Sequence, residues 1–154
     1  MGTSRGGIQM ADFVVTITDQ GRAFEAQQLI YGYGFEIQFY VLGAGGADPG
    51  NPTLALPLNL SVTSLPGQFF GPQPIDQSRL LNPTCCQFIC IAQPGQAVGP
   101  ISNLGLVATV LSVPAGSPVD APVLGSTFLY AITNFPLRYK SASTRETFNV
   151  TIKT

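Results

Sequence analysis

Histidine and tryptophan are absent from this chain of 154 residues, and charge is scarce: seven basic and eight acidic residues make up 10% of it. A soluble domain usually carries about 25%. Without histidine, His metal sites and nucleophile–His–acid triads cannot form. The few lysines and arginines are scattered, so the basic stripe of a nucleic-acid binder is missing. A membrane-spanning helix needs about 20 apolar residues in a row. The longest candidate, Leu104 to Val113, includes Thr109 and Ser112 and ends at Pro114. No secretory signal is visible, because Met1–Gly7 is Gly-rich and no apolar segment follows it. Neither nucleic acid nor a membrane is expected as a partner.

Apolar material is plentiful. Hydrophobic residues make up 45% of the chain, with 10 Phe and 5 Tyr, enough for one real core. Glycine (17) and proline (13) punctuate it throughout. A near-neutral chain with so few charges tends to associate. Much of its surface is therefore expected to be covered by copies of itself or by other proteins. The alternative is a monomer surface rich in Ser, Thr, Asn and Gln.

The three cysteines are Cys85, Cys86 and Cys90. Adjacent cysteines seldom pair, and Cys86 and Cys90 would share one face of a strand, too far apart to bridge without a bend. The C-C-x-x-x-C spacing fits no zinc pattern. They read as reduced, buried thiols acting as small hydrophobes, which suggests folding in a cytoplasm. A disulfide, or a metal or cluster site shared between subunits, is the alternative.

Along the chain, residues 1–11 read as a flexible arm and 12–154 as a single domain. Asp12–Thr18 is a short β-prone run. Thr18 or Asp19 is a suitable N-cap for a helix through Ile30, with Ala23, Ala26 and Ile30 at i, i+3, i+7 and Leu29 beside them. Tyr31-Gly32-Tyr33-Gly34 stops it. Beyond that point the signals are all β. Phe35, Ile37, Phe39 and Val41 alternate with Glu36, Gln38 and Tyr40. Gly43–Pro52 is a turn-rich loop, and Thr53–Pro83 an extended excursion with short edge strands. Further strands are expected over Thr84–Gln93, Ile101–Val113, Ser126–Thr133 and Thr147–Lys153, with a three-proline loop, Pro114–Pro122, between the second and third. This pattern predicts a mainly β fold, an antiparallel β-sandwich with one short N-terminal helix and long Pro/Gly-rich loops.

Candidate chemistry is thin. The loop G-A-G-G-A-D-P-G (43–50) lacks the helix N-terminus and nearby lysine of a phosphate cradle. Its glycines are expected at positions of positive φ. Asp48 is expected to cap a turn, with a weak Ca²⁺ or Mg²⁺ site as the alternative. Asp12, Asp19, Glu25, Glu36, Asp48, Asp76, Asp120 and Glu146 are dispersed, with no close pair in sequence for glycosidase chemistry. Arg138, Lys140 and Arg145 form the one basic concentration, read as a solvated loop or a contact for a partner's acidic patch. No catalytic, cofactor-binding or metal-binding residue, and no enzymatic activity or cofactor, is expected.

Three stretches carry a family resemblance. They are I-T-D-Q-G-R-A (17–23) leading the helix, V-L-G-A-G-G-A-D-P (41–49) ending the next strand, and G-S-T-F-L-Y-A-I-T-N-F-P-L-R-Y-K (125–140) before the closing strand. In order and spacing they resemble the N-terminal domain of phage tail-collar fibre proteins, which attach receptor-binding fibres to the baseplate. The middle differs: residues 102–108 (S-N-L-G-L-V-A) keep only the Gly-Leu core of the family's acidic and aromatic motif.

The resemblance implies a structural virion protein of a bacteriophage in the tail region, assembled in the host cytoplasm. Longer fibre proteins continue into a shaft, whereas this chain stops at Thr154, so an adaptor or decoration role is expected. It would act by protein–protein binding, as a homo-oligomer, most plausibly a trimer, with other tail or baseplate proteins as partners. Loop 43–83 would reach neighbouring subunits, and the 1–11 arm would dock as an added strand or clamp. The alternatives are a head-decoration or neck protein, or a carbohydrate-binding module with Tyr31, Tyr33 and Tyr40 as a stacking platform.

Overall fold

A computed structural model describes residues 8–153. The chain order is β1 (Ile8–Val14), β2 (Thr16–Ile17), α1 (Asp19–Tyr31), β3 (Gly34–Gly43), β4 (Ala47–Asp48), β5 (Asn51–Ala55), β6 (Gln68–Pro74), β7 (Gln77–Asn82), β8 (Cys85–Ala92), β9 (Gly99–Ser112), β10 (Thr127–Lys140) and β11 (Arg145–Lys153). One sheet has the order β1-β11-β8-β7 and the other β2-β10-β9-β3-β6, with β4-β5 as a small hairpin. Phe88, Cys90, Phe148, Val150 and Ile152 of the first sheet meet Tyr40, Leu42, Leu104, Leu106, Phe128 and Tyr130 of the second in one core. This is the expected β-sandwich.

Two expectations about the N-terminus change. Residues 8–11, expected in the arm, are the first half of β1; residues 1–7 lie outside the described residues. The pairing of β1 with β11 is parallel, so the sandwich is not antiparallel throughout. These two strands stand at opposite ends of the chain, so no tight hairpin joins them, and the single buried residue Val15 carries the chain on from the edge of one sheet to the edge of the other.

The helix ends are locally encoded. Thr18 is the N-cap, its hydroxyl accepting the Gly21 N–H at 3.0 Å. Gly32 closes the other end in the left-handed region at φ 74°, its N–H bonded to Gln28 O. The helix face is not the expected one. Leu29 and Ile30 are 87% and 76% exposed, and Ala23 and Ala26 also face outward. Gly21 is buried instead, and Phe24 stacks on Phe128 at 3.8 Å between ring centres. Docking of the N-cap sets this rotation: the Thr18 N–H bonds Tyr130 O and its hydroxyl bonds Leu129 O.

Strand β3 also departs from simple alternation. Its register against β9 slips between Ile37 and Phe39. A bulge adds one residue and reverses the facing of everything after it. Phe35 and Ile37 therefore pack on the central core, as do Tyr40 and Leu42, while Phe39 and Val41 face the other way. On that outer face Val41, Val107, Leu129 and Ile132 gather a second cluster, covered by Leu60, Val62 and Leu65 of the 56–66 segment. Part of the 53–83 excursion thus packs on its own sandwich. With both faces covered, β9 is buried continuously from Ile101 to Ala108, which explains the apolar run Leu104–Ala108 within it.

Strand β10 extends past the expected Thr133 end. A register shift between Asn134 and Arg138 absorbs Pro136, which has no N–H for the ladder.

Candidate functional site

Several of the dispersed carboxylates make structural contacts. The Asp48 carboxylate accepts the Gly50 N–H at 2.9 Å, capping a turn. Asp12 accepts from Asn149 at 3.0 Å, and Glu25 accepts from the Tyr130 hydroxyl at 2.9 Å. Among the described residues, no three His, Cys, Asp or Glu side chains stand close enough to hold a metal ion.

The basic concentration is not a surface patch. Lys140 is fully buried, donating to the carbonyl oxygens of Gln93 at 3.0 Å and Thr144 at 2.8 Å, with Ser141 O at 3.3 Å. Arg138 pairs with the buried Glu146 at 2.5 Å. Because β10 and β11 belong to different sheets, this group ties the two layers together where the 141–144 turn crosses between them. Burial pulls the Lys140 ammonium below its ordinary value, against the Glu146 charge. Burial likewise raises the Glu146 carboxyl, opposed by Arg138 and Lys140. Sequence spacing could not show this, since nothing local marks a lysine or glutamate as buried.

Cys85, Cys86 and Cys90 are free thiols; Cys85 and Cys90 are buried and Cys86 half-buried. Burial, then the charge of Asp76, pushes the Cys90 thiol well up. The three tyrosines suggested as a sugar platform do not form one. Tyr40 lies in the core, its hydroxyl donating to Ile91 O at 2.6 Å. Tyr33 is buried and stacks against the more exposed Tyr31 at 5.4 Å.

The stretches behind the family resemblance converge on β10 as packing devices. A Cβ on Gly46 would meet Ser102 O and lie 2.8 Å from Asn134 Oδ1; one on Gly45 would lie 2.6 Å from Pro66 O. These glycines are required for close approach of backbones, not for the positive φ expected of them, which they lack. Asn134 in turn donates to Leu56 O at 3.0 Å, fixing the chain that follows β5.

The described surface carries two apolar features. One end of the five-stranded sheet gathers the last turn of α1, the end of β9 and the 113–126 loop. Gly32 approaches Pro114, and Gly125 N bonds Val110 O. Leu29, Ile30, Leu111, Val119, Val123 and Leu124 are all exposed there. Within 111–126 the single charge is Asp120. A second apolar feature flanks β7, the last strand of the four-stranded sheet. Its six residues are all exposed, Leu80 to 70%. Behind them opens a recess of about 240 Å³ lined by Ser78, Arg79, Leu80, Cys86 and Phe88. The helix pattern pointed to the wrong face, and nothing in the sequence marked β7 as overhanging. Compared with protein-family models, curated proteins and solved structures, the chain has no match.

Proposed function

We propose that this chain is a structural virion protein of a bacteriophage. In this reading it is a tail-fibre- or baseplate-associated assembly subunit or adaptor that works by protein–protein binding. The carrying observation is the set of large apolar side chains left exposed on α1, the 113–126 loop and β7 in a chain with so few charges. Apolar patches on framed elements are what assembly interfaces require. The order of the three motif stretches supports the placement in the tail. The same surface supports self-association into a closed homo-oligomer, which we take to be a trimer.

Two measurements test this reading. Light scattering of the purified chain over a concentration series is expected to give a stable oligomer mass. Antibody labelling of particles from the phage that encodes it is expected at the tail. Label on the head would move the protein to a decoration role. A chain found only free in the lysate would overturn the virion assignment.

A further inference from the structure

Strand β1 fills an aromatic slot from the edge of the sandwich. It stands at the end of its sheet, with a ladder to β11 alone. On its outer side Asp12 accepts a hydrogen bond from Asn149 Nδ2 at 3.0 Å. On its inner side Phe13 stacks on Phe135 at 4.5 Å and on Phe148 at 5.9 Å between ring centres. Phe135 belongs to β10 and Phe148 to β11, so this one side chain wedges between the two sheets. Without β1 the slot would be an apolar cleft beside an unpaired strand edge.

The connection to the rest of the fold is a single residue, Val15, between β1 in one sheet and β2 in the other. Val15 is buried, and its N–H bonds Thr151 O at 3.1 Å, so the pairing with β11 runs right up to the crossing. The sequence there is Val14-Val15-Thr16-Ile17-Thr18, a run of β-branched residues. Each of them favours extended backbone. Local preference is therefore for one continuous strand through Val15, whereas β1 reaches its own β11 by changing sheets at that residue. Short hinges of this kind invite exchange of the terminal element between copies.

We propose that β1 is exchanged between copies of this chain: residues 8–14 of one copy pair with β11 of its neighbour, and Val15 is the hinge. The occupant follows from the slot. It takes an aromatic side chain directly after an acid, on a strand parallel to β11, and Asp12-Phe13 of a second copy supplies that set unchanged. Every contact β1 makes within one chain is kept between chains. The two forms then differ by the hinge and by the local concentration of neighbours. Passed on in one direction from copy to copy, the strand closes a ring. This inference rests on the reading of the chain as a self-assembling subunit.

The test is a disulfide trap between chains. Asp12→Cys and Asn149→Cys replace two side chains that already touch, each in a separate chain that also carries Cys86→Ser. The two variants are co-expressed with different tags, purified together and oxidised. Exchange is expected to link them into a product of doubled mass on a non-reducing gel, absent when either variant is oxidised alone. A chain carrying both substitutions gives the answer by a second route: linkage between chains supports exchange, and closure within each chain overturns it. An oligomer that yields no product between chains also overturns exchange, and leaves self-assembly standing. A wild-type chain that is monomeric throughout a concentration series overturns self-assembly itself.

Discussion

Gly21 lies so close to β10 that a Cβ added to it would stand 2.5 Å from the carbonyl oxygen of Tyr130 and 2.8 Å from Ile17 Cγ2. Alanine is the better helix former by about 1 kcal/mol. Steric exclusion outweighs that gain, because backbone cannot yield as a flexible side chain would. Gly21→Ala is therefore expected to destabilise the fold by about 1–3 kcal/mol, as overpacking does. Urea midpoints followed by circular dichroism check this; an unchanged midpoint would refute the close approach.

Lys140 holds three backbone carbonyls from inside the protein. Lys140→Met keeps the aliphatic stem and leaves those carbonyls without their donor. A loss of about 3 kcal/mol is expected, since each buried acceptor left unpaired costs about 1–3 kcal/mol and neighbouring losses do not simply add. The same denaturation assay reads it. A variant as stable as the parent would show that water replaces the ammonium.

Glu146 gives a pH signature. Its carboxyl is raised by burial, so the folded protein holds that proton more tightly than the unfolded chain does. The group's stabilising contribution is then fully present below the ordinary value of 4.5 and is lost as pH rises through the raised value. Glu146→Gln removes this dependence. The stability of the parent relative to Glu146→Gln should fall between acid and neutral pH; a difference that rises instead would reverse the sign of the shift.

Three phenols make a second signature at the alkaline end. Burial raises Tyr33, Tyr40 and Tyr130 above the ordinary 10.0. Stability held by the neutral phenols is intact below that value and lost as pH climbs beyond it. Their ionisation should coincide with loss of near-ultraviolet circular dichroism, in one cooperative step. Gradual ionisation of all five tyrosines in a protein that stays folded would count against this.

The thiols should separate by reactivity. Cys90 is buried with its thiol pushed up, and Cys85 is buried, while Cys86 opens on the β7–β8 recess. A thiol reagent should label at most one cysteine rapidly in the native protein, and Cys86→Ser should abolish that fast phase. All three should react in denaturant. Rapid native labelling of Cys90 would contradict its place in the core.

Much of this architecture is written locally. Thr18 and Gly32 bracket the helix because capping and left-handed termination act within a few residues. Phe148, Val150 and Ile152 alternate in β11 without interruption, so their burial was legible before any partner strand was known. The candidate surface was not legible. The outward Leu29 and Ile30 and the overhanging Leu80 depend on where α1 and β7 come to rest against other elements.

The amino-acid sequence by itself determined the β-rich class, the helix ends, the near-absence of charge and the scarcity of catalytic groups. These depend on composition, period and short-range hydrogen bonding. Tertiary structure alone decided the inverted facing of Tyr40 after the β3 bulge, the close approach that requires glycine at 45 and 46, and the burial of Lys140 with Glu146 between the sheets. Each of these turns on contacts between residues far apart in the chain, and such contacts carry no local period from which to be read.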